Sequence, residues 1–200
     1  RIRQIAEEAA ATRTRRLLLV TGVPGSGKTL VGLRLEHDPA LDGLAVPRAD
    51  GLPSAPAVYL SGNGPLVEVL QHALRDAGGG GRTFVRGVRD YVRTYSGRRS
   101  RIPPEHVLVF DEAQRAFDAE RMAQTHAGPG SGASRRVGLG AGASRDAGGG
   151  RSEPEWFVEF AERVPEWCVV VGLIGTGQEI HVGEEGGLVQ WRQADRKSVV

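Results

Sequence analysis

The apolar residues of this chain fall into two patterns that alternate along it. Four short stretches are apolar at nearly every position: Leu17–Val20, Ala57–Leu60, Val107–Phe110 and Trp167–Ile174. A strand covered on both faces reads this way, and such strands belong to parallel sheets. Between these stretches, apolar residues recur every three or four positions. Ile2, Ile5, Ala6, Ala9 and Ala10 form one such set; Leu66, Val69, Leu70, Ala73 and Leu74 form the next. Phe84, Val88, Tyr91, Val92 and Tyr95 form a third, and Trp156, Phe157, Phe160 and Val164 a fourth. The spacing predicts helices over 2–11, from Thr29 onward, over 66–74, over 82–95 and over 153–164. Strands alternating with helices imply an α/β fold, a mainly parallel sheet sandwiched by helices.

Two segments break the pattern. Residues 37–56 are rich in proline and glycine and read as a surface loop. Residues 127–151 hold nine glycines and four arginines, with only Val137 and Leu139 as larger apolar residues. They cannot build a core and are expected to form a mobile Gly/Ser/Arg-rich insertion.

Composition narrows the class. The 200 residues suffice for the core of one α/β domain, so residues 1–200 are expected to be a single domain; Arg1 in place of a methionine points to a fragment of something larger. No apolar run approaches membrane-span length and no signal pattern opens the chain, so the expectation is cytoplasmic, with no membrane partner. Cys168 is the single cysteine and excludes an internal disulfide framework; inside an apolar run it reads as a small core residue.

The chemistry begins where the first strand ends. Residues Gly22 to Thr29 form a complete G-x-x-x-x-G-K-[ST] loop between an apolar run and a helix start. That is the context in which a P-loop cradles phosphates. Gly22, Gly25 and Gly27, spaced by Val23, Pro24 and Ser26, let the backbone approach an anion, and the helix N-terminus points its N–H groups there. Lys28 is expected to reach the β- and γ-phosphates of ATP, and Thr29 to give its hydroxyl to Mg2+. About 80 residues on, Val107–Phe110 delivers Asp111 and Glu112 at a strand end. Asp111 is expected to hold Mg2+ and Glu112 to polarise the attacking water. Gln178, in the Gly-rich turn after the fourth apolar run, is a candidate for the γ-phosphate or that water, since ligands of α/β sheets gather at the carboxyl ends of strands. The strand order expected of such a site puts 167–174 between 16–21 and 106–111, in a five-stranded sheet.

Arginine is the remaining signal. Arg82, Arg86, Arg89 and Arg93 recur at i, i+4, i+7 and i+11, and between residues 82 and 101 seven arginines face one acid, Asp90. On a helix they would share one face and follow a phosphate backbone of DNA or RNA; a solvated face would carry the same residues.

Four segments carry a family resemblance: Thr21–Thr29, Tyr59–Leu66 (YLSGNGPL), Val109–Arg115 (VFDEAQR) and Gly172–Trp191 (GLIGTGQEIHVGEEGGLVQW). They resemble the first RecA-like domain of superfamily-one helicases. More closely they resemble a bacterial P-loop family, domain of unknown function 2075, similar to the helicase-like part of Schlafen proteins. The resemblance implies a RecA-like P-loop NTPase that binds ATP and hydrolyses it. It implies that Gln114 couples nucleotide state to motion and that Gln178 matches the third helicase motif. In the same upstream region where such domains read adenine stands Gln4. It also implies a second RecA-like domain as partner, outside this chain. A nucleotide-dependent regulatory or binding module without strand separation is the alternative.

Overall fold

The computed structural model describes residues 1–36, 38–46, 55–77, 84–96, 101–113, 152–175 and 186–198. The apolar runs form strands β1 (Arg15–Gly22), β2 (Ala55–Ser61), β4 (Glu105–Phe110) and β5 (Cys168–Gly175), and a short β3 (Val85–Gly87) joins them. They make one sheet in the order β1-β5-β4-β2-β3, with every pairing parallel. As the sequence predicts, β5 lies between β1 and β4.

Helices cover both faces, which is why the central strands are apolar throughout. On one face lie α1 (Ile2–Thr12), α2 (Lys28–Glu36), α3 (Pro39–Asp42) and α4 (Gly64–Asp76). On the other lie α5 (Val88–Ser96), α6 (Glu153–Arg163) and α7 (Gly186–Ser198). β4 serves both: Val107 and Val109 enter the first core, Leu108 and Phe110 the second. Local chemistry sets the helix starts. Asn63 caps α4 by accepting from the Leu66 N–H at 3.2 Å, and Ser152 and Glu155 form a reciprocal capping box at the head of α6.

Two expectations are corrected. Residues 82–95 are not one helix: Val85 to Gly87 pair with Tyr59 to Ser61 as an edge strand, and the helix begins at Val88. Pairing satisfies the backbone edge of β2 and buries Val85 completely, and that outweighs a helical spacing that in fact governs only Val88, Tyr91, Val92 and Tyr95. Nor is 37–56 loop throughout. Asp38 accepts from the Ala40 N–H at 3.1 Å and starts α3, which buries Leu41. The 127–151 segment lies outside the described residues.

Cys168 is fully buried, and that burial pushes its thiol up to about 12, so it behaves as a core residue. Among the described residues no helix is long and apolar enough to cross a membrane.

Candidate functional site

The strand order leaves only β5 between β1 and β4, and all three run parallel, so the loop after β1 and the carboxylates after β4 open at the same carboxyl end of the sheet. In the loop, Gly25 and Gly27 take φ of 75° and 84°, the left-handed region that costs a side-chain-bearing residue about 1–2 kcal/mol. A Cβ at Gly22 would stand 2.6 Å from Ser26 Oγ, so a larger residue there would push that side chain aside. Lys28 Nζ donates to Gly22 O at 2.7 Å and to Val23 O at 2.9 Å, which holds the ammonium across the loop. α2 starts at Lys28, so its first N–H groups face the loop. Pro24 and Ser26 are exposed on the rim.

At the other strand end the turn is clamped from three sides. The Asp111 N–H donates to Leu60 O at 2.8 Å, extending the β2–β4 ladder by one residue. Ala113 packs on β5 where Gly172 leaves room; a Cβ on Gly172 would lie 3.2 Å from Ala113 Cβ. Ala113 O accepts from Trp191 Nε1 at 3.0 Å. Between these clamps Glu112 has φ of 53°, an unfavourable setting for a non-glycine residue, of the kind that concentrates at working sites. Asp111 is buried and Glu112 half-buried.

The buried Asp111 meets a residue that motif reading misses. Tyr59, fully buried on β2, donates its hydroxyl hydrogen bond to Asp111 Oδ2, and the Thr29 side chain lies near enough to the same phenol to act on it. Burial, then the bond to Asp111 and its charge, push the phenol far above its ordinary value, so it remains a proton donor. Thr29 and Asp111, the two expected Mg2+ ligands, thus converge on one hydroxyl. The sequence signal for Tyr59 was faint: a polar-tipped aromatic inside an otherwise apolar strand, whose hydroxyl needs a partner once buried.

Beside the carboxylates lies a cavity of about 210 Å³ lined by Gly62, Asn63, Arg89, Glu112 and Glu153 among others. Arg89 therefore stands with the site. The other arginines disperse: Arg86, on β3, lies over the Tyr91 ring at 4.9 Å and the Tyr95 ring at 5.7 Å, and Arg93 is exposed and bonds Asp90 at 2.6 Å. The shared helical face expected for 86, 89 and 93 is absent, and Arg82 lies outside the described residues. Gln114 and Gln178 also lie outside them. Gln4 lines a separate concavity between α1 and α2, with Val31 and Arg34.

An all-parallel α/β sheet between helices, with a glycine loop at one strand end and paired carboxylates two strands away, defines a protein of the RecA-like P-loop class. The chain belongs to the Schlafen group 3, DNA/RNA helicase domain family, whose model matches residues 15–199. The match bears out the helicase-like and Schlafen side of the resemblance. No curated protein and no solved structure matches the chain.

Proposed function

We propose that this domain binds ATP with Mg2+ and hydrolyses it, with DNA or RNA as the macromolecular partner. The observation that carries the reading is the convergence of the β1 loop, Thr29 and Asp111 at the carboxyl end of the sheet, with Glu112 beside them. Backbone N–H groups of the loop and the Lys28 ammonium suit the β- and γ-phosphates. The donor set suits Mg2+. No group of three or more His, Cys, Asp or Glu among the described residues makes a cage for a metal ion. Mg2+ prefers one carboxylate and a hydroxyl, with nucleotide phosphates and water completing its shell. Bound there, the ion would neutralise charge developing on the phosphates. Glu112 accepts a proton from the attacking water. Gln178 and Gln114 follow β5 and β4 closely in sequence; the expected contact of Gln178 with the γ-phosphate or the attacking water, and the coupling of nucleotide state to motion through Gln114, belong to this reading.

Equilibrium titration with ATP and measurement of phosphate release test it. Lys28→Ala should lose nucleotide binding. Glu112→Gln should bind as the parent does and lose turnover by about 10²- to 10⁴-fold, the range of general-base removal. A Lys28→Ala variant that binds ATP like the parent refutes the loop assignment. A parent that binds ATP but releases no phosphate with or without single-stranded DNA or RNA leaves the regulatory module as the function.

A further inference from the structure

Tyr59 stands out because the structure spends two unusual choices on it. The first is Gly32, a glycine inside α2, a position where glycine costs about 1 kcal/mol relative to alanine. A Cβ at residue 32 would lie 2.9 Å from Tyr59 Cε2 and 3.0 Å from Leu173 Cδ1, so the glycine makes the seat for the ring. The second is the burial of a phenol hydroxyl at the sheet edge, with its hydrogen bond spent on Asp111. A phenylalanine would fill the same seat without that bond, so packing alone does not require tyrosine.

The hydroxyl links three elements. Tyr59 comes from β2, Asp111 follows β4, and Thr29 lies in the first turn of α2. Its O–H donates to Asp111 Oδ2, which fixes that carboxylate and leaves the second oxygen for other partners. The Thr29 side chain stands beside the same hydroxyl. Partners of this kind, one bond removed from a metal, set the orientation of the ligands that touch it.

We propose that Tyr59 is the positioning residue of the Mg2+ site, holding Asp111 and Thr29 in the arrangement that receives Mg2+ with the nucleotide. The role rests on the ATP and Mg2+ reading above. In this role Tyr59 acts through Asp111, to which its hydroxyl is bonded, so its removal acts on the metal requirement and leaves the phosphate loop intact.

The test is a MgCl2 titration with a fluorescent ADP as probe, run on the parent and on Tyr59→Phe, beside ADP binding in EDTA and the melting temperature of each. Tyr59→Phe should raise the half-saturating Mg2+ concentration about 10- to 100-fold and leave ADP affinity in EDTA unchanged. Gly32→Ala, which displaces the ring without altering the phenol, should raise the Mg2+ midpoint as well. Were Tyr59 only a packing residue, the Mg2+ midpoint of Tyr59→Phe would stay with the parent whatever its melting temperature; that result overturns the proposal. An equal loss of binding with and without Mg2+ overturns it too. A parent that binds no ADP at any Mg2+ concentration removes the nucleotide site itself, and the Tyr59 role with it.

Discussion

Trp191 is the residue whose replacement most directly tests how the carboxylate turn is held. It is fully buried, stands with its ring centroid 5.8 Å from that of Phe110 and 6.3 Å from that of Phe157, and donates from Nε1 to Ala113 O at 3.0 Å. Trp191→Phe keeps most of the ring contact and removes the donor. The Ala113 carbonyl is then buried without its partner, at a cost of about 1–3 kcal/mol. Trp191→Ala removes the ring as well and leaves a cavity beside Phe110, for a total of about 3–5 kcal/mol. For a domain of this size the alanine variant should melt about 6–20 °C lower. Denaturant unfolding of the two variants separates the parts, since their difference isolates the packing contribution. Because Ala113 follows Glu112, the phenylalanine variant should also slow ATP turnover more than it weakens ATP binding. If Trp191→Phe unfolds within about 0.5 kcal/mol of the parent, the bond to Ala113 does not hold the turn and the account of the clamp is wrong.

A pH dependence follows from His106, which is buried, stacks on Trp167 at 4.7 Å and bonds Trp167 O through Nδ1 at 2.7 Å. Burial lowers its pKa from 6.5, so below that pH the unfolded chain binds a proton that the fold resists. Stability should be complete above pH 6.5 and decline as pH falls; melting curves from pH 7.5 to 5 on the parent and on His106→Phe should diverge at the acid end, and parallel curves would rule this out. For nucleic acid, Arg89 and Arg93 are exposed whereas Arg86 is engaged with Tyr91 and Tyr95. Replacing Arg89 and Arg93 by alanine should weaken single-strand binding for every sequence and flatten its salt dependence by about 1.4, roughly 0.7 per phosphate contact. An unchanged slope would remove both residues from the nucleic-acid contact.

The sequence by itself determined the elements whose signal is local. A strand buried on both faces writes itself as Leu17–Val20 or Val107–Phe110. The glycines at 25 and 27 mark backbone that only glycine takes without strain, and the motif spacing ties Lys28 and Thr29 to the helix start. Even the place of β5 between β1 and β4 was legible, because the fold expected of such a loop and such a pair of carboxylates has one strand order. What the tertiary structure decided lay in pairings between distant residues. Residues 85–87 carry helical spacing, yet the open edge of β2 claims them as a strand, since unpaired backbone at a buried edge costs more than a local preference yields. That single pairing takes Arg86 off the helix that carries Arg89 and Arg93. Tyr59, 52 residues from Asp111, and Trp191, 78 residues from Ala113, meet their partners only because the parallel sheet and its last helix bring them together. A hydrogen bond between side chain and turn leaves no period in a sequence, so residues of this kind become readable only in three dimensions.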